Sequence, residues 1–218
     1  MSVFKRNSAS EAEEKLKHWL ASLRGPLAVG LSGGMDSGLL FFMAVEFAPY
    51  GAIPFTAITP FFTWDDKKQV ERICEYKGVP PAFLLVDTLQ HQEVANNRAL
   101  RCYFCKKMIY EAIVEAADRR DCRLVADGTV LDDLARYRPG IMALKELGIE
   151  TPLADSGLRK SELMEIAGNF GWSEILGRDP VSCLATSLEP NNRIDHEILQ
   201  VMNSCFHGTK SLKNKAFS

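Results

Sequence analysis

The stretch Leu27–Leu40, LAVGLSGGMDSGLL, constrains this chain more than any other. Leu27–Leu31 is a short apolar run that predicts a buried strand. Ser37–Ala48 carries a single charge, Glu46, and is apolar on every side, which predicts a helix buried against a sheet. Between them lie two glycines and one aspartate. In a parallel sheet ligands bind beyond the carboxyl ends of the strands, where this turn must lie. Gly33 and Gly34 can take positive φ and aim backbone N–H groups inward. Ser32 and Ser37 add hydroxyls, and the following helix presents its positive end. Together these make a cradle for phosphate or pyrophosphate. Asp36 is the odd member. A carboxylate beside bound phosphate is repulsive unless a divalent cation lies between them, and Mg²⁺ is suited to joining the two. The bland alternative is that Gly-Gly is only a tight strand-to-helix turn. A Walker A loop is ruled out, because the Gly-Lys-Ser/Thr ending is missing.

The rest of the chain repeats the alternation. Leu16, Trp19, Leu20 and Leu23 predict an amphipathic helix over residues 11–23, with Ser10 and Glu13 at capping-box spacing. Ile53–Thr59, Ala82–Val86 and Arg123–Ala126 predict strands, and Asp65–Tyr76 and Cys102–Asp118 predict helices. Short apolar strands alternating with helices imply an α/β fold, a parallel sheet with helices on both faces. The rhythm changes after residue 135. Tyr137-Arg138-Pro139-Gly140 reads as a turn, Leu163, Ile166, Ala167 and Phe170 mark a short helix, residues 177–193 read as a loop, and Asp195–Cys205 as a last helix. The expectation is a main domain over residues 1–135 and a smaller, mainly helical region over 136–218, ending in a polar, mobile tail.

With 218 residues there is enough chain for a sizeable core. The net charge of −2 gives no long-range pull toward nucleic acid or anionic lipid. No apolar run approaches the ~20 residues of a spanning helix, and the N-terminus lacks a signal peptide's apolar stretch. The expected location is therefore the cytoplasm, with no membrane partner and nucleic acid disfavoured. Six cysteines are too sparse for a disulfide scaffold, so each is core filler, a ligand or a reagent.

SGGMDS matches the SGGxDS loop of the PP-loop ATP pyrophosphatases. RCYFCKK (101–107), DGTVLDDLARYRPG (127–140), TPLADSGLRKSEL (151–163) and SCLAT (182–186) follow in order. Over about residues 10–200 the set resembles the LarE-type, ATP-dependent sacrificial sulfur transferases. The resemblance implies the adenine nucleotide alpha hydrolase-like, Rossmann-like fold. It implies ATP as cosubstrate, cleaved to AMP and pyrophosphate, and a small carboxylated pyridinium nucleotide as acceptor, in nickel-pincer cofactor biosynthesis. The carboxylate is adenylated, a cysteine thiolate displaces AMP, and Cβ–S cleavage leaves a thiocarboxylate on the product and dehydroalanine on the protein. The donor cysteine corresponds to Cys183. Other members use an iron–sulfur cluster and spare the protein cysteine, so a cluster stays open. Lys106 is implied to lie near the ATP phosphates. Asp127, Gly128, Thr129 and Asp133 face nucleotide and metal, with Asp36 as metal ligand. A homo-oligomer is compatible with the family.

The residues by themselves leave alternatives. Cys183 fits a nucleophile whose thiol pKa is lowered by Arg178 and Arg193, and it equally fits a small buried apolar residue. Cys102 and Cys105 form CYFC at a helix start and lack the two further ligands of a zinc site. Lys106 can be a solvated surface lysine, and Asp127-Gly128-Thr129 an ordinary capped turn. Cys74 and Cys122 read as core, and the four histidines as surface residues. Family members continue CLAS/T with arginine where this chain has Ser187, and serine cannot replace that charge. They also carry a further C-terminal segment. Rival functions are another PP-loop enzyme, a tRNA thiolase or an amide-forming synthetase, and a non-catalytic nucleotide-binding protein.

Overall fold

The computed structural model describes residues 3–135, 138–177 and 183–202, with the side chains of 3–10 left aside. The elements run α1 (Val3–Ala21), β1 (Leu27–Gly30), α2 (Met35–Phe47), β2 (Ala52–Ile58), α3 (Trp64–Lys77), β3 (Ala82–Leu85), α4 (Gln92–Ala95), α5 (Arg101–Asp118), β4 (Leu124–Ala126), α6 (Leu131–Leu134), α7 (Pro139–Glu146), α8 (Pro152–Asp155), α9 (Lys160–Asn169) and α10 (Ser173–Leu176). Residues 196–202 are also helical. The four strands form one parallel sheet in the order β3-β2-β1-β4.

Helices cover both faces, and β1 shows why. Successive strand side chains point to opposite faces. Leu27 and Val29 enter one apolar cluster with α1, α2, α3 and α9, while Ala28 enters the other with α5 and α7. α2 is apolar all round because it is enclosed. Residues Ser37–Ala44 are buried. Phe42 meets Trp172 edge-on at 5.2 Å and stacks on Tyr76 at 5.4 Å. Leu163, Ile166, Ala167 and Leu176 join the same cluster, so α9 and α10 pack on the core that α2 organises.

Several expectations are corrected. The first helix runs through Ser10 instead of starting there, because the Ala- and Glu-rich residues around it favour helix. Of the turn expected at 137–140, the described part is a helix start. Tyr137 lies outside the described residues, and Pro139 opens α7, where its fixed φ and missing N–H suit the first helical position. Gly140 lies against α5, where an added Cβ would stand 3.2 Å from Lys106 Cδ and 3.4 Å from the Cys102 carbonyl oxygen. In the 177–193 segment, Leu184–Ser187 forms a single 3₁₀ turn. Residues 196–202 agree with the expected last helix. Arg178, Cys205, His207 and the tail lie outside the described residues.

Phe42 is fully buried. Phe42→Ala is expected to cost about 3–5 kcal/mol in urea unfolding, and a loss under about 1 kcal/mol would contradict its place in the core.

Candidate functional site

The chain passes from β1 through β2 to β3 on one side of the sheet, then returns to place β4 on the other side of β1. The crevice between β1 and β4 is therefore the topological switch point, where a parallel sheet offers a ligand site. Two loops leave the sheet there: Ser32–Ser37 after β1 and Asp127–Thr129 after β4. They touch through backbone. A Cβ on Gly128 would lie 2.6 Å from Ser37 N and 2.7 Å from Ser37 Cα, so only glycine permits the approach. Gly33 has φ +83°, and Gly34 is extended at φ −80°, so one of the two glycines takes the left-handed conformation expected of both. Ser37 Oγ ties the loop together, accepting from Ser32 N–H at 3.2 Å and donating to the Gly34 carbonyl oxygen at 3.3 Å. Gly34 is the N-cap of α2 and supplies no side-chain cap, so none of the helix's first N–H groups is taken by it.

Two carboxylate centres flank the loop. Buried Asp127 accepts from Tyr110 Oη at 2.5 Å and from Thr129 Oγ1, and pairs with Lys106 Nζ at 2.9 Å. Burial opposes the charge on Asp127. Lys106 and the two hydroxyls outweigh it and hold the carboxyl below its ordinary value of 3.8. Gly30 makes the space, since a Cβ there would stand 2.3 Å from Tyr110 Oη. Asp36 is the opposite case. Burial, with Asp133 and Asp127 nearby, raises it above 3.8 despite Lys160. Lys160 Nζ stands 3.5 Å from Asp36 Oδ2 and 3.8 Å from Asp133 Oδ1, and Asp133 Oδ1 also meets Arg138 Nη1 at 3.0 Å.

The structure thus brings Ser32, Gly33, Gly34, Asp36, Ser37, Lys106, Asp127, Gly128, Thr129 and Asp133 to one sheet edge. Tyr110, Arg138 and Lys160 were missed by sequence reasoning. Lys160 had a signal. It opens α9, and a cation at a helix N-terminus opposes the macrodipole, which marks a position held for another reason. Among the described residues, no three His, Cys, Asp or Glu side chains converge to hold a metal ion. Asp36 and Asp133 nevertheless share an ammonium between them. Such a pair fits Mg²⁺ whose remaining ligands are phosphate oxygens and water.

Cys183 precedes the Leu184–Ser187 turn and is exposed as a residue. The expected lowering of its thiol pKa is reversed. Desolvation by surrounding protein raises it, outweighing the Ala185 backbone and Arg101. Arg193 is exposed and does not figure among the causes, and among the described residues the cation that acts on the thiol is Arg101, whose Nη1 also donates to the Ala185 carbonyl oxygen at 3.2 Å. Cys105 is pushed up to about 11, first by burial and then by Cys183, with Cys102 adding to it. The three thiols therefore share one electrostatic neighbourhood. Cys74 and Cys122 are core residues as expected. His18 and His196 are exposed, whereas His91 is half-buried and stacks on Phe104 at 3.8 Å.

The two aspartates should respond oppositely to neutralisation. Asp127 has a depressed pKa, so its contribution is present above pH 3.8 and lost as pH falls through its lower folded value. Asp36 has a raised pKa, so it costs stability that appears as pH rises from 3.8 through its folded value and persists above it. At pH 7, Asp127→Asn is expected to destabilise the protein by about 1.5–3 kcal/mol and Asp36→Asn to raise the melting temperature. Both changes in the same direction would contradict these assignments.

No family model matches the chain. A curated but uncharacterized protein of Methanocaldococcus jannaschii is 30% identical over 175 residues, covering 80% of this chain and 65% of that protein. The pyridinium-3,5-bisthiocarboxylic acid mononucleotide synthase of Lactiplantibacillus plantarum is 28% identical over 184 residues, covering 81% and 64%. The chain thus spans just under two thirds of the length of these two relatives. Among solved structures, the U34-tRNA thiolase NcsA of Methanococcus maripaludis with its [4Fe-4S] cluster superposes with TM-score 0.59 at 18% identity, over 84% of this chain and 69% of that one. The NMN synthetase of Francisella tularensis gives TM-score 0.62 at 16% identity, over 92% and 86%. Both likenesses are of fold. The chain thus shares the adenine nucleotide alpha hydrolase-like fold of these structures, and its relatives include enzymes of the PP-loop ATP pyrophosphatase superfamily.

Proposed function

We propose that this protein is a cytoplasmic, ATP-dependent sulfur transferase of the LarE type, which adenylates the carboxylate of a small pyridinium nucleotide. The observation that carries the reading is the backbone contact between Gly128 and Ser37, which presses the β4 exit loop onto the uncapped start of α2. It puts main-chain N–H groups, Lys106 and Asp36 around one crevice, the donor set that a leaving pyrophosphate needs. The acceptor carboxylate attacks the α-phosphorus of ATP, and pyrophosphate departs with the electron pair. Backbone amides of Gly34–Ser37 and the Lys106 ammonium, held by Asp127, stabilise that charge. Asp36 and Asp133 would hold Mg²⁺, which supplies charge neutralisation at the phosphates. The Cys183 thiolate then attacks the acyl carbon and expels AMP. Loss of the Cys183 Cα proton with cleavage of Cβ–S gives the thiocarboxylate and dehydroalanine.

Arg101 is a cation that favours the Cys183 thiolate, against the burial that raises its pKa. The raised thiol pKa places the thiolate-dependent step on the alkaline side. Sulfur transfer should therefore rise with pH beyond the point where adenylation levels off, read as pyrophosphate release against thiocarboxylate formed.

One observation favours a second reading. Cys102 helps to raise both the Cys105 and the Cys183 thiol, and Cys183 helps to raise Cys105, which suits a site where sulfur arrives from an external source or a cluster and Cys183 is spared. The side chains do not converge as ligands among the described residues, so no step is derived through a cluster. Intact-protein mass spectrometry after incubation with ATP, Mg²⁺ and a carboxylated pyridinium mononucleotide separates the two. Loss of the elements of hydrogen sulfide at Cys183 is the expected result. Product with unchanged protein mass would transfer the role to the second reading, and no pyrophosphate release would overturn both. Gly128→Ala, which forces a Cβ against Ser37 backbone, is expected to weaken ATP binding by at least about tenfold in calorimetry while the far-UV circular dichroism stays that of the parent.

A further inference from the structure

Lys160 stands between two carboxylates beside the Ser32–Ser37 loop. We infer that the Lys160 ammonium is a built-in counter-ion for Asp36 and Asp133 that keeps divalent metal out of the site until nucleotide phosphates arrive. The inference rests on the phosphate-cradle reading of the Ser32–Ser37 loop and deepens it.

Three observations carry it. The first is geometry. Lys160 Nζ lies 3.5 Å from Asp36 Oδ2 and 3.8 Å from Asp133 Oδ1, between carboxylates on two different elements. These distances are long for charge-assisted hydrogen bonds. The ammonium neutralises the pair without being locked to either member, and its side chain is 52% exposed, so it has room to leave.

The second is how the lysine is held. Its position is fixed through the main chain. Lys160 N–H donates to Asp132 Oδ2 at 2.8 Å, Arg159 N–H donates to Glu162 Oε2 at 2.8 Å, and Arg159 Nη1 reaches Asp132 Oδ1 at 3.4 Å. Asp132 thus takes the start of α9 and aims residue 160 at the crevice, while the adjacent Asp133 receives the side chain. A lysine opening a helix works against the macrodipole, and here the two carboxylates across the crevice compensate.

The third is the charge count. The groups facing the position are Asp36, Asp133 and, further off, Asp127 on the acidic side, with Lys160 and Arg138 on the basic side. Asp127 is already engaged with Lys106. Two carboxylates against two cations leave little net attraction for a divalent ion. Two carboxylates also fall short of the oxygen set Mg²⁺ requires without phosphate. When a nucleotide brings phosphate oxygens, the balance reverses. The phosphates offer ligands to the metal and an alternative partner to the displaced ammonium. Metal and nucleotide would then bind as one unit, so an empty site is not filled by metal alone.

The test uses Mn²⁺ in place of Mg²⁺, with free ion read by electron paramagnetic resonance, on the full chain without nucleotide. Lys160→Met and Lys160→Gln keep the backbone N–H that Asp132 takes, and thermal melting checks that each is folded. Both variants are expected to bind Mn²⁺ at least about tenfold more tightly than the parent, since a positive charge beside the carboxylates is gone. Adding Asp36→Asn to Lys160→Met should return the affinity to the parent's. With α,β-methylene-ATP present, the parent should take up Mn²⁺ and the difference between parent and variants should shrink. Variants that bind Mn²⁺ no more tightly than the parent without nucleotide would overturn the inference, as would a parent that binds it tightly alone. Failure of the parent to bind the ATP analogue in calorimetry would instead count against the proposed function, and the nucleotide-free comparison would still decide the role of Lys160.

Discussion

Gly128 and Ser37 meet backbone to backbone, and the site is built outward from that contact. β1 and β4 are paired in register, so the loops that leave them diverge only after the last paired residues, Val29 and Ala126. α2 cannot retreat, because Ser37–Ala44 is enclosed by the core and Gly38 lets Leu176 approach where a Cβ would stand 2.7 Å away. With both partners fixed, the space between the loops is narrower than a methyl group. A glycine at 128 is what lets the crevice close to the width of backbone, and it puts Asp127 and Thr129 beside the start of α2. Dispersion and burial hold the scaffold, and polar interactions then operate on geometry the scaffold has set.

Asp127 and Asp36 show how one fold gives neighbouring carboxylates opposite characters. Asp127 is saturated with donors from Tyr110, Thr129 and Lys106, so it stays charged and acts as an anchor for the lysine. Asp36 has other carboxylates for neighbours and an ammonium at a distance, so its charge is only partly offset. An anchor and a partly offset carboxylate are the parts that the proposed site would need to hold its own cation rigidly and accept another. The same division runs through the thiols. Burial makes Cys74 inert at a pKa of about 12, while exposed Cys183 has Arg101 within reach.

Much of this was legible in the sequence because it is local. The apolar runs at 27–31 and 37–48 and the helical spacing at 109–116 reflect burial on one face or all round, and burial leaves a periodic trace. The glycine turn carried its own chemistry in six residues. What was not legible depends on residues far apart in the chain. The pairing of Tyr110 with Asp127 needs the absence of a side chain at Gly30, eighty residues earlier. Lys160 lies more than a hundred residues from Asp36. Cys183 was expected to have a lowered pKa from arginines close in sequence, whereas among the described residues the cation acting on it is Arg101 and desolvation outweighs it. Pro139-Gly140 read as a turn by composition, yet proline suits a helix start and Gly140 is required by α5 packed across it. Electrostatics and close approach are set by the fold, and a linear pattern does not encode them.

The central claim is that the backbone at the start of α2 receives the phosphates of ATP. The most direct measurement is the amide spectrum of the ¹⁵N-labelled protein during titration with α,β-methylene-ATP and Mg²⁺. The account requires the amides of Gly33, Gly34, Met35 and Asp36 to shift together and saturate, with AMP giving far smaller changes there. Saturable binding of the analogue that leaves those amides unmoved would contradict it.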